Sequence, residues 1–226
     1  MAKVSIRESR MYPVFFMIIL SALLTFILAM SYQLSRESVE KFREVSFQTR
    51  LLSIFIPAIP ELNGKALDGL EAEEISKLYK SYITAKSFNN DTEYQYYQFS
   101  IAGKEQGYVF PVSVKGLWST IHLLVAIKPD FSEYMGIKII SQGETPGLGA
   151  RITEEWFQKQ FAGKSFLEGK ELAELEVIAE NEQPKAGEYR QITGATVSSR
   201  AVISGVQAEL MLLYKEYENY RSGGDK

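Results

Sequence analysis

Two short segments of the sequence combine residue types that could hold a small anionic cofactor. The first, residues 142–149, reads Gln-Gly-Glu-Thr-Pro-Gly-Leu-Gly and directly follows a β-rich run. Its three glycines and one proline predict a tight turn whose backbone can approach a ligand closely. The same composition is also typical of a plain connection between a strand and a helix, so both interpretations stay open.

The second segment, residues 192–202, reads Ile-Thr-Gly-Ala-Thr-Val-Ser-Ser-Arg-Ala-Val and enters the last helical pattern of the chain. Its hydroxyl side chains crowd around the expected helix start, and Gly194 gives the preceding turn conformational freedom. The amino terminus of a helix presents unpaired N–H groups and a partial positive charge, which favour a phosphate. Ser and Thr are also common helix caps where no ligand binds, and this alternative stays open.

The composition limits the chemistry that the chain can perform by itself. Its 226 residues include no Cys and one His, His122, which excludes disulfides, thiolate-bound zinc, iron–sulfur clusters and a His-rich metal site. The formal net charge of -3 at pH 7 argues against a nucleic-acid partner, because nucleic acid requires a basic face. Oxygen ligands, hydroxyl groups or a borrowed cofactor remain as the basis of function.

A long apolar segment lies near the amino terminus. No charged residue occurs from Met11 to Ser35, and this run is long enough for a helix across a bilayer core of about 30 Å. A core helix of a soluble protein would rarely be so long and apolar all round. A cleaved signal peptide stays the alternative, because Ala29-Met30-Ser31 resembles a cleavage site, although the apolar run of a signal peptide is usually shorter. We expect a transmembrane anchor over residues 11–33, preceded by a tail of residues 1–10. The Lys and Arg residues near its two ends give no decisive orientation.

The patterns beyond the anchor predict an α+β domain. Helical spacing predicts an amphipathic linking helix within residues 34–60. Four β-rich runs between residues 93 and 141 predict an antiparallel sheet flanked by helices. We expect the sheet-containing domain to occupy residues 61–221, with a flexible tail of residues 222–226. The expected elements include helices at 68–79, 153–161 (with Thr153 as the N-cap) and 197–220, and strands at 117–127 and 175–179.

The two segments together carry a family resemblance. Gly-Glu-Thr-Pro-Gly-Leu-Gly, then Trp156-Phe157, then Thr-Gly-Ala-Thr-x-Ser opening a terminal helix resemble the FMN-binding subunits of two membrane complexes. These are the C subunit of the sodium-pumping NADH:quinone oxidoreductase (Nqr) and the G subunit of the Rnf ferredoxin:NAD oxidoreductase. The single amino-terminal membrane helix matches as well, so the resemblance covers nearly the whole chain. It does not distinguish the Nqr branch from the Rnf branch.

The resemblance implies a covalent flavin. In this family FMN is joined through its phosphate to the last threonine of a Ser/Thr-Gly-Ala-Thr tetrad, which here is Thr196, and a separate flavin transferase makes the bond. The family motif usually has an acidic residue three positions before the tetrad, where this chain has Arg190, and the nearby Glu188 could substitute for it. Leu148, Trp118 and Tyr108 are candidates to stack on the flavin ring, and a place in the hydrophobic core is the alternative for each of the two aromatic residues. The cofactor-binding residues expected from the resemblance are Thr193, Gly194, Ala195, Thr196, Ser198, Glu144, Thr145, Gly147, Leu148 and Gly149.

The function implied by the resemblance is electron transfer within a redox-driven ion translocase, with no catalytic residue in this chain itself. The implied partners are the other subunits of the complex, the flavin transferase and membrane lipid. The implied location is the bacterial cytoplasmic (inner) membrane, crossed once, with the FMN-binding domain on the outer, periplasmic side. The electron donor and acceptor, the coupling ion and the redox potential stay open. The alternative is a membrane-anchored binding or scaffold module of the same fold that carries no flavin.

Overall fold

A computed structural model describes residues 11–62, 66–67, 69–87, 95–169 and 171–223. The chain divides into two compact units, the first ending at Ser46 and the second beginning at Phe47. Most of helix α1, Tyr12–Ile54, belongs to the first unit, where its side chains are exposed up to residue 44. By length and composition α1 could cross a membrane, which is consistent with the expected anchor. The expected tail at residues 1–10 lies outside the described residues.

The sequence predicts that helical spacing continues from the anchor into the linking helix, and α1 runs without a break from Tyr12 to Ile54. Its last turns lie in the second unit, where Leu51, Leu52 and the following Phe55 are buried. Phe55 stacks on Phe99 of the sheet with ring centroids 4.0 Å apart, and the Arg50 guanidinium donates to the carbonyl of Ile140. Helix α1 therefore ends as part of the core of the second unit.

The second unit is built on a five-stranded antiparallel sheet in which sequence neighbours pair, in the order β1-β2-β3-β4-β5. This sheet and its flanking helices confirm the predicted α+β class. Strand β1, directly after the helix α2 (Ala72–Tyr82), was not predicted. Strand β4 begins three residues later than expected because Leu117 and Trp118 form a turn. The strands are β1 Ile83–Ser87, β2 Gln95–Ile101, β3 Lys104–Lys115, β4 Thr120–Ile127 and β5 Tyr134–Ser141.

The final helix, α4 (Thr196–Gly223), packs on one face of this sheet. Alternating residues of β4, among them Ile121 and Leu123, join Val202 and Val206 of α4 in the main hydrophobic core. The helix crosses β3 closely at Gly205, where an added Cβ would lie 2.8 Å from Val114 Cγ1. The missing side chain at this position therefore lets helix and sheet come into direct contact. The helix extends to Gly223, beyond the expected end at residue 220.

The smaller elements also differ from the expectations in detail. The helix predicted at residues 68–79 is α2, Ala72–Tyr82, whose start is fixed by a capping box between Glu71 and Glu74. Thr153 does not cap a helix, because its hydroxyl donates back to the Ala150 carbonyl at 2.8 Å and it ends a 3-10 helix. The other elements in the described part of the chain are the 3-10 helices Ile56–Ala58, Pro60–Leu62 and Gly149–Thr153, helix α3 Glu155–Lys159, and strands β6 Leu167–Glu168, β7 Glu171–Leu172, β8 Glu176–Ile178 and β9 Glu188–Arg190.

Candidate functional site

The two motif segments, far apart in sequence, meet around one open cavity of about 310 Å³. This volume is at the lower end of the range for small-molecule sites, roughly 300–1,000 Å³. Its walls come from the turn between β3 and β4, the loop after β5 and the first turn of α4. Eight of the ten predicted cofactor-binding residues line it. The lining residues are Leu117, Trp118, Glu144, Thr145, Leu148, Gly149, Gly194, Ala195, Thr196, Val197 and Ser198.

Thr196 is the first residue of α4, and it is exposed at this cavity. The turn before it is closed by a hydrogen bond from the Ala195 N–H to the Ile192 carbonyl at 3.0 Å. Gly194 has φ +77°, which is the conformation that the third position of a type II turn requires. The Ser199 hydroxyl accepts the Ile192 N–H at 2.9 Å, so the helix start and the turn are tied together. The threonine is thus held at the mouth of the cavity by a fixed backbone.

The loop after β5 forms the opposite wall. The Thr145 carbonyl accepts hydrogen bonds from the amides of Leu148 and Ala150, both at 3.1 Å, and Gly147, directly before Leu148, has φ +75°. The Leu148 side chain is 45% exposed and reaches towards the tetrad, where a Cβ on Gly194 would lie 3.2 Å from its Cδ2. The sequence predicts a turn that lets backbone come close to a ligand. The structure forms that turn, but Gly147 itself lies outside the cavity lining.

Glu144 is buried beneath the cavity, and both of its carboxylate oxygens are already occupied. Oε1 accepts the amides of Trp118 at 3.0 Å and Ser119 at 3.2 Å. Oε2 accepts the Leu117 amide at 3.3 Å and the hydroxyl of Ser198. Burial raises the pKa of the Glu144 carboxyl, but these four donors together lower it below its usual value. Glu144 is therefore an anion whose charge is compensated by backbone amides and a hydroxyl.

Thr193, the first residue of the tetrad, is exposed and lies outside the cavity lining. Its amide donates to Glu180 Oε2 at 2.8 Å, and Arg151 Nη2 pairs with Glu180 Oε1 at 2.6 Å. The Arg151 guanidinium and then the Thr193 amide lower the pKa of Glu180 to about 2. Glu180 is thirteen residues from Thr193 in the chain, and nothing in the sequence pattern pointed to this contact.

Arg190, at the usually acidic position of the family motif, and Glu188, its expected substitute, have their contacts outside the tetrad. The Arg190 guanidinium lies over the ring of Trp156, 5.1 Å from its centroid, and the Glu188 carboxylate accepts the amide of Lys185 at 2.8 Å. Glu188 therefore does not supply a carboxylate to the tetrad in this structure. The acidic side chain bonded to the tetrad backbone is that of Glu180.

Trp118 and Tyr108, the two aromatic candidates for stacking on a flavin ring, differ in exposure and in location. Trp118 is 72% exposed and lines the cavity. Tyr108 is buried in an aromatic cluster, where its hydroxyl donates to Glu105 and accepts from Tyr217. It borders a different, larger cavity of about 770 Å³ that contains none of the predicted cofactor-binding residues. The expectation that Tyr108 could stack on the cofactor is wrong, because the β-strand period turns its side chain into the core.

Sequence reasoning missed two residues of the cavity. Leu117 and Val197 are each 54% exposed and give the cavity an apolar rim together with Trp118 and Leu148. The sequence patterns placed Leu117 in a strand and Val197 in a helix, without a role in binding. The position of Leu117, directly after Gly116 and before Trp118, is the signal that could have indicated an exposed turn.

Comparison with known proteins identifies the domain around this cavity. Residues 116–210 match the FMN-binding domain family. The C subunit of the Na(+)-translocating NADH-quinone reductase from Neisseria meningitidis serogroup A is 35% identical over 100 residues, which are 44% of this chain and 39% of that protein. The G subunit of the proton-translocating ferredoxin:NAD(+) oxidoreductase complex from Clostridium ljungdahlii is 35% identical over 112 residues, 50% of this chain and 56% of that protein. The chain thus spans about half the length of the curated relatives that it matches.

The fold agrees with these matches. The crystal structure of the C subunit of the Na(+)-translocating NADH-quinone reductase from Parabacteroides distasonis superposes with a TM-score of 0.60 at 21% identity, covering 80% of this chain and 96% of that one. The corresponding protein from Shewanella oneidensis gives a TM-score of 0.55 at 19% identity, covering 71% and 88%. The matching domain, the relatives and the fold agree, and the chain is similar to the C subunits of Na(+)-translocating NADH-quinone reductases and to the G subunit of a ferredoxin:NAD(+) oxidoreductase complex.

Proposed function

We propose that this chain is an electron-carrying subunit of a membrane-bound, ion-translocating oxidoreductase of Nqr or Rnf type, with FMN attached covalently to Thr196. The observation that carries the proposal is the exposed Thr196 at a cavity built jointly by both motif segments. The named relatives are subunits of such oxidoreductases, which are enzymes as assembled complexes. The chain alone would carry electrons and perform no catalysis of its own.

The residues around the cavity suit FMN. A phosphate on Thr196 lies at the first turn of α4, where free N–H groups and the positive end of the helix dipole favour an anion. The exposed side chains of Trp118 and Leu148 offer apolar surfaces to a flavin ring. Other lining residues, such as Gly149 and Ala195, contribute backbone and small side chains that leave room for it. When bound, the flavin supplies one- and two-electron redox chemistry, while this chain supplies position and electrostatics.

Helix α1, which is long and apolar enough to cross a membrane, supports the arrangement that we propose in the cell. Residues 11–33 would cross the bacterial inner membrane once, in contact with lipid, and residues 61–221 would form the FMN-binding domain on the periplasmic side. Anchoring to a membrane raises the effective concentration of the flavin next to the other subunits of the complex. A separate flavin transferase would form the phosphothreonyl ester before or during assembly.

Flavinylation can be tested on the peptide of residues 191–200. The full chain is expressed with a flavin transferase, denatured, examined for flavin fluorescence on a gel, and digested for mass spectrometry. Attachment predicts a fluorescent band and a peptide heavier by FMN less one water. Thr196→Ala should abolish both signals, whereas Thr145→Ala, which removes another exposed hydroxyl of the same cavity, should keep them.

A wild-type peptide of unmodified mass, made beside an active transferase, would overturn covalent attachment and favour the flavin-free scaffold.

The side of the membrane on which the domain lies can be tested separately, because the chain contains no Cys. Lys159 is exposed, so Lys159→Cys provides a single thiol in the proposed FMN domain. A membrane-impermeant maleimide should label it in cells with a permeabilised outer membrane. Labelling only after lysis of the inner membrane would place the domain in the cytoplasm.

A further inference from the structure

The turn that carries Trp118 lacks the backbone conformation that stabilises a two-residue hairpin loop on its own. The Gly116 N–H donates to the Ser119 carbonyl at 2.9 Å, which leaves Leu117 and Trp118 as a two-residue hairpin loop between β3 and β4. The favoured two-residue hairpin loops require positive φ at one or both central residues. Neither Leu117 nor Trp118 has a positive φ. The hairpin therefore needs support from outside itself.

That support comes from the Glu144 carboxylate. Three consecutive amides, those of Leu117, Trp118 and Ser119, point at its two oxygens at 3.0–3.3 Å. Successive backbone N–H groups aimed at one point form a site for an anion, which here is a side chain of the protein. Glu144 is only 4% exposed, so water does not compete effectively for these donors. The turn is thus held by a residue twenty-five to twenty-seven positions later in the chain.

The same carboxylate also reaches the helix that begins at Thr196. The Ser198 hydroxyl, 2% exposed in the first turn of α4, donates to Glu144 Oε2. Two glycines leave the space for this contact. A Cβ on Gly116 would lie 2.5 Å from Glu144 Oε1, and one on Gly149 would lie 2.6 Å from Ser198 Oγ. One buried anion therefore joins the Trp118 turn to the start of α4.

We propose that Glu144 is a positioning residue, which fixes the Trp118 turn against the first turn of α4 and so immobilises the flavin ring between them. The part that concerns the ring rests on the proposed function, whereas the support of the turn does not. Glu144 acts through Trp118 and Ser198, since its oxygens are occupied by their hydrogen-bond donors and by those of Leu117 and Ser119. Glu144 and Ser198 also line the cavity, as the family resemblance predicts for cofactor-binding residues, and the assignment adds a positioning role for them.

Hydrogen exchange of the full chain, prepared without flavin, tests the support of the turn. In Glu144→Gln one carboxylate oxygen becomes an NH₂ group, which faces amide donors instead of accepting from them. The amides of residues 117–119 should then exchange faster by about tenfold or more, because each lost bond weakens the protection of the turn. Glu155→Gln is the matched control, since Glu155 is exposed and forms its ion pair with Lys159 on its own helix. It should leave this exchange unchanged.

A second variant keeps the test decisive if Glu144→Gln fails to fold. Glu144→Asp retains the charge but draws the carboxylate back by one methylene, so faster exchange at residues 117–119 is again expected, with the strands protected as in the wild type. Wild-type exchange at these amides in a folded variant would overturn the proposal.

The flavin-loaded chain tests the consequence for the ring. Flavin fluorescence anisotropy should be high in the wild type and lower in Glu144→Gln and Glu144→Asp, with Glu155→Gln unchanged. Equal anisotropy in all variants would overturn the immobilisation of the ring. Failure of the proposed function looks different, because the wild type itself would then carry no flavin while the exchange result at residues 117–119 could still be measured.

Discussion

The sheet contains two hairpins with two-residue loops, and they are stabilised in opposite ways. In the loop between β2 and β3, Ala102 and Gly103 both have positive φ, +50° and +76°, as a type I′ turn requires. That loop is exposed, and an added Cβ on Gly103 would meet nothing within 4 Å. In the loop between β3 and β4, Leu117 and Trp118 lack positive φ, and their amides bond to Glu144 instead.

The two loops differ because the β2–β3 loop only connects its strands, whereas the β3–β4 loop also presents Trp118 at the cavity. A loop that only reverses the chain can use local backbone chemistry, with small residues and no distant partner. A loop that must present a large exposed indole at a cavity cannot use the residue types of a type I′ turn, so its geometry is set by tertiary contact. The position of Trp118 therefore depends on contacts with distant parts of the chain, whereas the turn at Ala102 depends on itself.

The largest expected effect is that of Glu144→Ala. Four donors lose their buried acceptor, so we expect a loss of about 3 kcal/mol in the free energy of unfolding. The loss is not larger because the turn can relax towards water, which replaces part of the hydrogen bonds. Urea unfolding of the full chain in detergent measures it. Glu155→Ala should change stability by less than about 0.5 kcal/mol, because it removes an exposed ion pair.

The acid dependence of the Glu144→Ala effect provides a check. The pKa of Glu144 in the folded protein lies below the ordinary value of 4.5, so its contribution is complete above that pH and is lost as the pH falls through the lower folded value. The stability difference between wild type and variant should therefore shrink in acid. A difference that grows there would contradict the assigned role.

A smaller effect is expected from Gly149→Ala. The new methyl group would lie 2.6 Å from Ser198 Oγ and 2.9 Å from Glu144 Cβ. These two side chains are hydrogen-bonded to each other, so they cannot easily move away from the methyl group. We expect a loss of about 2 kcal/mol and a more mobile flavin. Gly163→Ala is the control, because a Cβ on Gly163 would meet nothing within 4 Å although its φ is +79°. It should lose stability through backbone strain without any change in flavin anisotropy.

Gly103→Ala should cost about 1 kcal/mol, because alanine is strained at φ +76° even though space is free there. The effect should be confined to the β2–β3 hairpin. Thermal unfolding measures the loss, and hydrogen exchange at residues 117–119 should stay at the wild-type rate. Faster exchange there would show that the two turns are not independent.

The smallest expected effect is a gain from Ala102→Asn. Asn-Gly is the preferred sequence of a type I′ loop, so we expect about 0.5 kcal/mol of added stability, measured by thermal unfolding. The flavin signal should not change. A loss of stability would indicate that the exposed Ala102 has contacts beyond its own turn.

Much of this architecture could be predicted from local patterns. The uncharged run predicted a helix long enough for a membrane, and the apolar stripe after residue 197 predicted α4, because helix periodicity is a short-range signal. The glycine-rich loop and the hydroxyl-rich helix start were recognised as two segments, and the structure brings them to one cavity.

What could not be predicted depends on contacts between distant residues. The family resemblance predicted Glu144 as a cofactor-binding residue, and no periodicity indicates that its carboxylate accepts amides from residues 117–119. Glu180 gave no signal for its bond to the Thr193 amide. Strand β1 follows α2 without an intervening turn, so no turn residues in the sequence marked the boundary between them. Thr153 looked like an N-cap, but its hydroxyl bonds to a preceding carbonyl.

The close crossing at Gly205 has a consequence for the proposed electron carrier. Thr196 and Gly205 lie on one helix, nine residues and about 13.5 Å apart along its axis. A side chain at position 205 would displace this helix from Val114, and a displacement of the helix would also move the flavin proposed at Thr196. The distance over which electrons must travel to a neighbouring subunit would thus be governed by a residue without a side chain, far from the redox centre.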